Sequence, residues 1–160
     1  MTTFLKNRDM KFSFHLLLTC IALTACGESG KTTADYRIVP RPGEIAPGDG
    51  GDFELDARTR IVCTGDGDGM RANAEFLAGY VESVVGSAPE ITGPDGLCDD
   101  GRAVILRADA PGKGGEAYEI EVSENRITVS GESDAGVFYG IQTLRKAMGA
   151  AKAAKVLFPA

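Results

Sequence analysis

The chain contains two stretches in which apolar residues recur at the spacing of an α-helix. In the first stretch, between residues 68 and 86, apolar side chains return every three or four positions and therefore share one helix face. The apolar residues of this face are Met70, Ala74, Leu77, Val81 and Val84. Asp68 is a candidate N-cap and Gly86 a candidate C-terminal stop. The pattern predicts one amphipathic helix here.

The second helical stretch begins at Ser133 or Asp134, either of which suits an N-cap, and ends before Gly149. Its apolar stripe consists of Val137, Ile141, Leu144 and Met148. Gly136 and Gly140 lie one turn apart within it, and a glycine in a helix interior costs about 1 kcal/mol relative to alanine. We therefore expect another surface to approach this glycine face closely.

The remaining periodic segments have the pattern of β-strands. Residues 53–63 predict a strand or a hairpin, and the short apolar run at 102–109 predicts a strand covered on both faces. From residue 117 to 131 apolar and polar side chains alternate around a turn at Glu124 and Asn125, which predicts a hairpin with one solvent-facing side. The order β-β-α-β-β-β-α indicates an α/β (α+β) two-layer sandwich, with a mixed, mostly antiparallel sheet and two helices packed on one face.

The first 25 residues have the pattern of an export signal. Basic residues precede an apolar run that is too short to span a bilayer. This run ends in Leu-Thr-Ala-Cys, which resembles a bacterial lipobox and would leave Cys26 as a lipidated N-terminus; plain secretion is the alternative. We predict a signal peptide at 1–25, a polar tether at 26–35 and a domain at 36–160. The protein would be exported and lipid-anchored to the bacterial cell envelope, on its periplasmic or surface face.

The charge balance narrows the possible partners. Removing residues 1–25 deletes three basic residues and one acidic residue, so that the net charge of −6 becomes −8. Nucleic acids and anionic headgroups are bound by clustered Lys and Arg, and an acidic domain disfavours them. We therefore predict no nucleic-acid partner and membrane contact only through the lipid anchor, which leaves neutral ligands and proteins.

Few residues offer catalytic or metal chemistry. The one histidine, His15, lies in the signal, so the processed chain can build neither a histidine-based nucleophile pair nor a zinc site that contains histidine. We expect no metal and no cofactor. Cys63 and Cys98 would remain after processing in an oxidising compartment, where they are candidates for a disulfide; two buried thiols are the alternative.

Several segments, taken in order, resemble a known family. They are "YRIVPRPGEI", "FLAGYVESVVG", "AVILRAD", the block "EAYEIEVSENRITVSGESDAGVFYGIQTLRKAM" and the closing "LFPA". Together they resemble the N-terminal non-catalytic domain of glycoside hydrolase family 20, the bacterial β-N-acetylhexosaminidases. The resemblance implies a small α/β unit (hexosaminidase N-terminal domain-like, zincin-like) beside a separate (β/α)₈ barrel. That barrel carries an adjacent Asp-Glu catalytic pair, and no position of this chain matches it.

The resemblance also implies a partner surface. If the family's catalytic barrel packs on the second helix, in cis or in trans, then Gly136, Tyr139, Gly140 and Thr143 would line the interface. The alternative is that the glycines let the helix sit tightly on its own sheet. The chain would be inactive alone, as a truncated or split product. Other hypotheses are a stand-alone envelope lipoprotein that binds a glycan or a partner protein, and the equivalent domain of an α-glucuronidase or O-GlcNAc hydrolase.

Overall fold

Residues 30–97, 101–109 and 114–160, which the computed structural model describes, form two β-sheets and one layer of two helices. The strands are β1 (Lys31–Thr33), β2 (Phe53–Leu55), β3 (Arg60–Cys63), β4 (Ile91–Thr92), β5 (Ala103–Arg107), β6 (Tyr118–Ser123), β7 (Arg126–Gly131) and β8 (Lys155–Phe158). The helices are α1 (Asp68–Val85) and α2 (Asp134–Met148), and Pro94–Gly96 forms a single 3₁₀ turn. The predicted α/β class, with a mixed sheet and two helices, is confirmed.

The larger sheet has the strand order β4-β3-β5-β7-β6. Its pairs β3–β4, β3–β5 and β5–β7 are parallel, and only β6 runs antiparallel, beside β7. The expectation of mostly antiparallel pairing was therefore wrong. Helix α1 returns the chain between β3 and β4, so that β4 runs beside β3 in the same direction; β5 is also parallel to β3, on its other side. The hairpin then places its second strand, rather than its first, next to β5.

The smaller sheet has the order β1-β8-β2, with β1 parallel and β2 antiparallel to β8. Phe53 pairs with Phe158, and both side chains are fully buried. Segment 53–63 is thus not a hairpin, because its first strand belongs to this sheet and its second to the larger one. A turn separates them, closed by the bond from the Thr59 N–H to the Asp56 carbonyl.

The two helices begin and end close to the predicted positions. Gly67, not Asp68, is the N-cap of α1, and Asp68 is its first helical residue. Gly86 ends the helix in the left-handed conformation, with φ +86°, which only glycine adopts without strain. Ser133 caps α2 by accepting a hydrogen bond from the Gly136 N–H.

The main core lies between the helix layer and the sheets. It buries the predicted stripes of both helices against Ile61, Val104, Leu106, Ile127 and Val129 of the larger sheet. Val62, Ala103 and Ile105 form a second, smaller buried cluster. Strand β5, in the middle of the sheet, contributes to both clusters, which confirms the prediction that it is covered on both faces. Within the described ranges, no helix is long and apolar enough to cross a bilayer.

The segment predicted as a tether is partly folded. Lys31–Thr33 form β1, Ala34 is buried, and the Asp35 N–H donates to the Ala147 carbonyl at 2.9 Å. Residues 30–35 therefore belong to the domain, which corrects the predicted boundary at residue 36. The sequence did not predict β1 for two reasons. The strand Lys-Thr-Thr has no alternation of apolar and polar residues, and its partner β8 lies far away in the sequence. Residues 26–29 lie outside the described part of the chain.

Candidate interaction surface

The glycine face of α2 packs on the domain's own sheet. Gly136 and Gly140 are buried. A methyl group added to Gly136 would overlap the carbonyl oxygen of Ala117, and one added to Gly140 would overlap a methyl group of Val129. The predicted role of these two glycines in an outward interface is therefore corrected. They let the helix backbone approach β6 and β7, the alternative that the sequence had left open.

Thr143 belongs to the same internal face. Its hydroxyl lies 2.7 Å from the hydroxyl of Tyr118, at the start of β6. The ring of Tyr118 also faces Gly140, where an added Cβ would lie 3.3 Å from it. Of the four predicted interface residues, only Tyr139 points outward, and 43% of its surface is exposed.

An aromatic surface lies on the outer side of the helix layer. It consists of Phe76 on α1 and of Phe138 and Tyr139 on α2. The ring centroids of Phe76 and Phe138 lie 5.5 Å apart, and those of Phe138 and Tyr139 lie 6.0 Å apart. Phe76 is 40% exposed, and the three rings together form one apolar patch that faces solvent across both helices. Single exposed rings are normal on a soluble domain, so this joined patch is the candidate surface for contact with a partner.

A second aromatic contact joins the helices further along their length. The guanidinium of Arg145 lies over the ring of Tyr80, 5.5 Å from its centroid, within the range of a cation–π interaction. The Tyr80 hydroxyl donates to the Gly149 carbonyl at 2.7 Å. Arg145 also bonds Gln142 through Nε. These contacts fix the C-terminal part of α2 against α1 and hold the aromatic surface on a rigid support.

A shallow cavity of about 300 Å³ lies where β3 and β4 end and α1 begins, and Asp66, Asp68 and Arg71 contribute to its lining. Burial raises the pKa of the Cys63 thiol beside it, while the charge of Arg71 acts in the opposite direction. A raised pKa disfavours a nucleophilic thiolate. In the described residues no cluster of three metal-ligating side chains occurs. The cavity offers no assembled chemistry.

The smaller sheet is joined to the larger one through a cluster of charges around Glu54. Its carboxylate lies 2.6 Å from Lys155 Nζ, 3.1 Å from Arg102 Nη1 and 3.8 Å from Lys31 Nζ. Arg102 also contacts the buried carboxylate of Asp56 at 3.3 Å. Hydrogen bonds from Lys155 and then Arg102 lower the pKa of Glu54. The cluster positions strands; it offers no acid with a raised pKa for proton transfer.

The remaining candidate residues fall partly outside the described ranges. Cys63 is buried and carries a free thiol in the structure, whereas Cys98 lies in the undescribed segment 98–100. The disulfide therefore stays a prediction. Cys26, the lipidation candidate, also lies outside the described residues.

These observations define a class before any comparison: a small α/β domain with a tight internal helix–sheet contact and an exposed aromatic surface. Residues 35–159 match the family model described as glycosyl hydrolase family 20, domain 2. The chain belongs to this family, as an N-terminal accessory domain of the non-catalytic type. The catalytic barrel of family-20 enzymes is a separate domain.

Individual relatives agree with this family. The chain is 30% identical, over 70% of its length, to a β-N-acetylhexosaminidase from Cellulomonas fimi. Its fold is similar to that of the family-20 β-N-acetylhexosaminidase from Streptomyces coelicolor, with a TM-score of 0.61 and 24% identity over 71% of this chain. A family-20 β-N-acetylglucosaminidase structure matches at 31% identity and a TM-score of 0.53 over 77% of the chain. The chain spans only 21–22% of these three proteins.

Proposed function

We propose that this chain serves as the non-catalytic accessory domain of a family-20 β-N-acetylhexosaminidase and supports a catalytic barrel by packing against it. The observation that carries the proposal is the match to domain 2 over residues 35–159, in a chain that spans 22% of its curated relative. The sequence contains no adjacent Asp-Glu pair. The domain would therefore contribute a packing surface and stability, and the barrel would contribute the chemistry.

The surface proposed to contact the barrel is the aromatic surface of Phe76, Phe138 and Tyr139. Aromatic residues are enriched at protein interfaces because a rigid ring buries a large area at little entropic cost. Each square ångström of apolar area removed from water contributes about 25 cal/mol. The barrel is the preferred occupant because most of the length of the relatives lies outside the matched segment. It would be supplied in the same polypeptide or as a separate one.

The test is to mix this domain with a separately expressed family-20 barrel and measure the dissociation constant. The paired change Phe76→Ser and Tyr139→Ser should weaken binding by at least about tenfold, roughly 1.4 kcal/mol. Glu82→Gln, an exposed change elsewhere on α1, serves as the matched control and should leave binding unchanged. Melting curves of each variant alone establish that the fold is intact.

Two outcomes would contradict this proposal. Equal binding of the paired variant and the control would remove the aromatic surface from the interface. The absence of any binding, combined with retention of N-acetylglucosamine oligomers on a column, would favour the alternative of a stand-alone glycan-binding lipoprotein. The stand-alone lipoprotein could also bind a partner protein that is not a catalytic barrel; absence of binding to both the barrel and the glycan column would favour that form of the alternative.

We also propose that the protein is exported and anchored to the envelope through a lipid on Cys26. The support is the basic start, the apolar run and the Leu-Thr-Ala-Cys sequence that ends it. Cys26→Ser should abolish incorporation of labelled fatty acid and release the protein from the membrane fraction. Cys20→Ser, six residues earlier, is the matched control and should change neither. Membrane retention of the Cys26→Ser variant would contradict the anchor.

A further inference from the structure

Strand β1 begins very close to the proposed lipid anchor. The carbonyl of Gly30 accepts a hydrogen bond from the Ala154 N–H at 3.1 Å, and Lys31 pairs with Lys155. Only four peptide steps separate Cys26 from Gly30. An extended chain covers at most about 3.5 Å per residue, so these steps span at most about 14 Å. Folding of β1 therefore removes most of the tether that the sequence predicted.

We infer that, given the lipid anchor proposed above, the start of β1 rests at the bilayer surface and the end of β8, at Phe158, lies on the side of the domain away from it. The smaller sheet would thus act as a short rigid spacer between the membrane and the end of β8. This inference concerns the orientation of the domain and does not depend on the identity of the partner at the aromatic surface.

The strand directions of the smaller sheet determine how far the end of β8 lies from the start of β1. Because β1 and β8 are parallel, the start of β8 lies at the same end of the sheet as the start of β1. The end of β8, at Phe158, is three residues further along, about 10 Å at the rise of a β-strand. If the strand axis points away from the bilayer, the end of β8 therefore lies farther from the bilayer than the start of β1.

The two residues after β8 are held in place by hydrogen bonds. The Tyr36 hydroxyl donates to the Pro159 carbonyl at 2.7 Å. Burial, with a smaller contribution from the charge of Asp52, raises the pKa of Tyr36 to about 12, so that this donor keeps its proton into the alkaline range. Asp52 accepts a 3.4 Å bond from the Ala160 N–H. Pro159 and Ala160 therefore hold a fixed position beyond the end of β8.

The charges at the two ends favour this orientation on an anionic bilayer. Lys31, Lys152 and Lys155 lie at or next to the start of β1 and β8, and Glu54 neutralises only part of their charge. Near the end of β8, Asp52 accepts a bond from Ala160 and Glu124 lies beside the glycine-rich loop that reaches Ala160. The base Arg126 pairs with Ser123 next to the same loop. The domain as a whole is acidic. The lysines near the start of β1 and β8 would therefore orient a protein that its lipid already holds on the bilayer, and would not bind the protein to the bilayer without that lipid.

The experiment uses lipidated protein reconstituted in vesicles of phosphatidylglycerol and phosphatidylcholine that carry an acceptor dye on their headgroups. A donor dye is attached to an azide-bearing residue that replaces Ala151, beside the start of β8, or is appended after Ala160. With a donor–acceptor pair of short transfer range, energy transfer should be at least about twofold more efficient from position 151, because the two sites differ by about 10 Å or more in distance from the bilayer. A flexible Gly/Ser insertion of about 20 residues before Gly30 should remove this difference.

Charge reversal supplies the second arm. Lys31→Glu with Lys152→Glu should reduce the difference between the two dye positions, and high salt or pure phosphatidylcholine vesicles should act in the same direction. Equal transfer from both positions in the unmodified protein, or a difference that survives the flexible insertion, would overturn the inference while leaving the anchor intact. Loss of vesicle binding is a separate result, which we expect for Cys26→Ser. If the unmodified protein also failed to bind vesicles, both the anchor and this inference would be overturned.

Discussion

Gly140 of α2 lies directly against Val129 of β7, and a methyl group at Gly140 would overlap a methyl group of that valine. Val129 is fully buried, and a β-branched side chain in a strand has few alternative rotamers. We expect Gly140→Ala to lower the stability of the domain. Overpacking costs about 1–3 kcal/mol and exceeds the gain of about 1 kcal/mol in helix propensity. Denaturant unfolding measures the change.

Gly79 provides the control for that experiment. It lies in the interior of α1, is exposed, and would have no atom within 4 Å of an added Cβ. Gly79→Ala should therefore stabilise the domain by about 1 kcal/mol through helix propensity alone. A stabilising effect of the same size at Gly140 would show that the contact with Val129 relaxes freely and that the close approach of α2 to β7 does not require glycine.

The hydrogen bond between Tyr118 and Thr143 links α2 to the edge strand of the larger sheet. We expect Tyr118→Phe and Thr143→Ala each to cost about 1 kcal/mol, since each removes one partner of a half-buried pair. The double variant should cost less than the sum, with a coupling of about 0.5–1.5 kcal/mol. Tyr139→Phe, which removes a hydroxyl from an exposed ring, should leave stability unchanged. Strict additivity of the two changes would contradict a direct interaction.

The elements that could be predicted from sequence are those with a long apolar period. Both helices and the hairpin of β6 and β7 contain enough periodic residues to identify their buried faces. Strands β1, β4 and β8 have only two to four residues each, and their partners lie far away in the chain. Local pattern therefore does not reveal them, and the predicted tether at 26–35 was too long for that reason.

The candidate surface shows a different limit. The two glycines of α2 indicate a close contact, but spacing alone does not say whether the neighbour is inside the domain or outside it. Phe76 and Phe138 were not identified as surface residues because aromatic side chains usually count toward the core. Their positions outside the apolar stripes were the available signal. The contact between their rings depends on how the helices pack, which the sequence does not give.

The charge cluster around Glu54 should make stability sensitive to acid. The pKa of Glu54 is lower in the folded protein than in the unfolded chain, so the unfolded state binds more protons as the pH falls. Stability contributed by the ionised carboxylate is present above the ordinary glutamate pKa and is lost as the pH falls through the folded value. Asp56 acts in the same direction: burial alone would raise its pKa, but hydrogen bonds from Arg58 and the charges of Arg102 and Arg58 together outweigh burial and lower it.

Glu54→Gln tests this pH dependence. The variant should be less stable than the native protein near neutral pH, and its stability should fall less steeply as the pH drops below the ordinary glutamate range. Urea unfolding at a series of pH values measures both effects. Glu82→Gln, on the exposed surface of α1, controls for the loss of one negative charge. Parallel pH curves for Glu54→Gln and the native protein would exclude Glu54 as a source of the acid sensitivity.

The last prediction concerns catalysis. We expect the purified chain not to hydrolyse aryl N-acetyl-β-glucosaminides, because retaining glycosidases that use the substrate's acetamido group need a general acid beside a carboxylate that orients that group. The sequence has no Asp-Glu pair, and in the described residues the buried carboxylate, Asp56, is tied to Arg58 and Arg102. Release of the aryl group is followed by absorbance, with a complete family-20 enzyme as the positive control. Turnover that persists in protein purified from a host lacking its own hexosaminidase, and that Asp56→Asn abolishes, would contradict the accessory role.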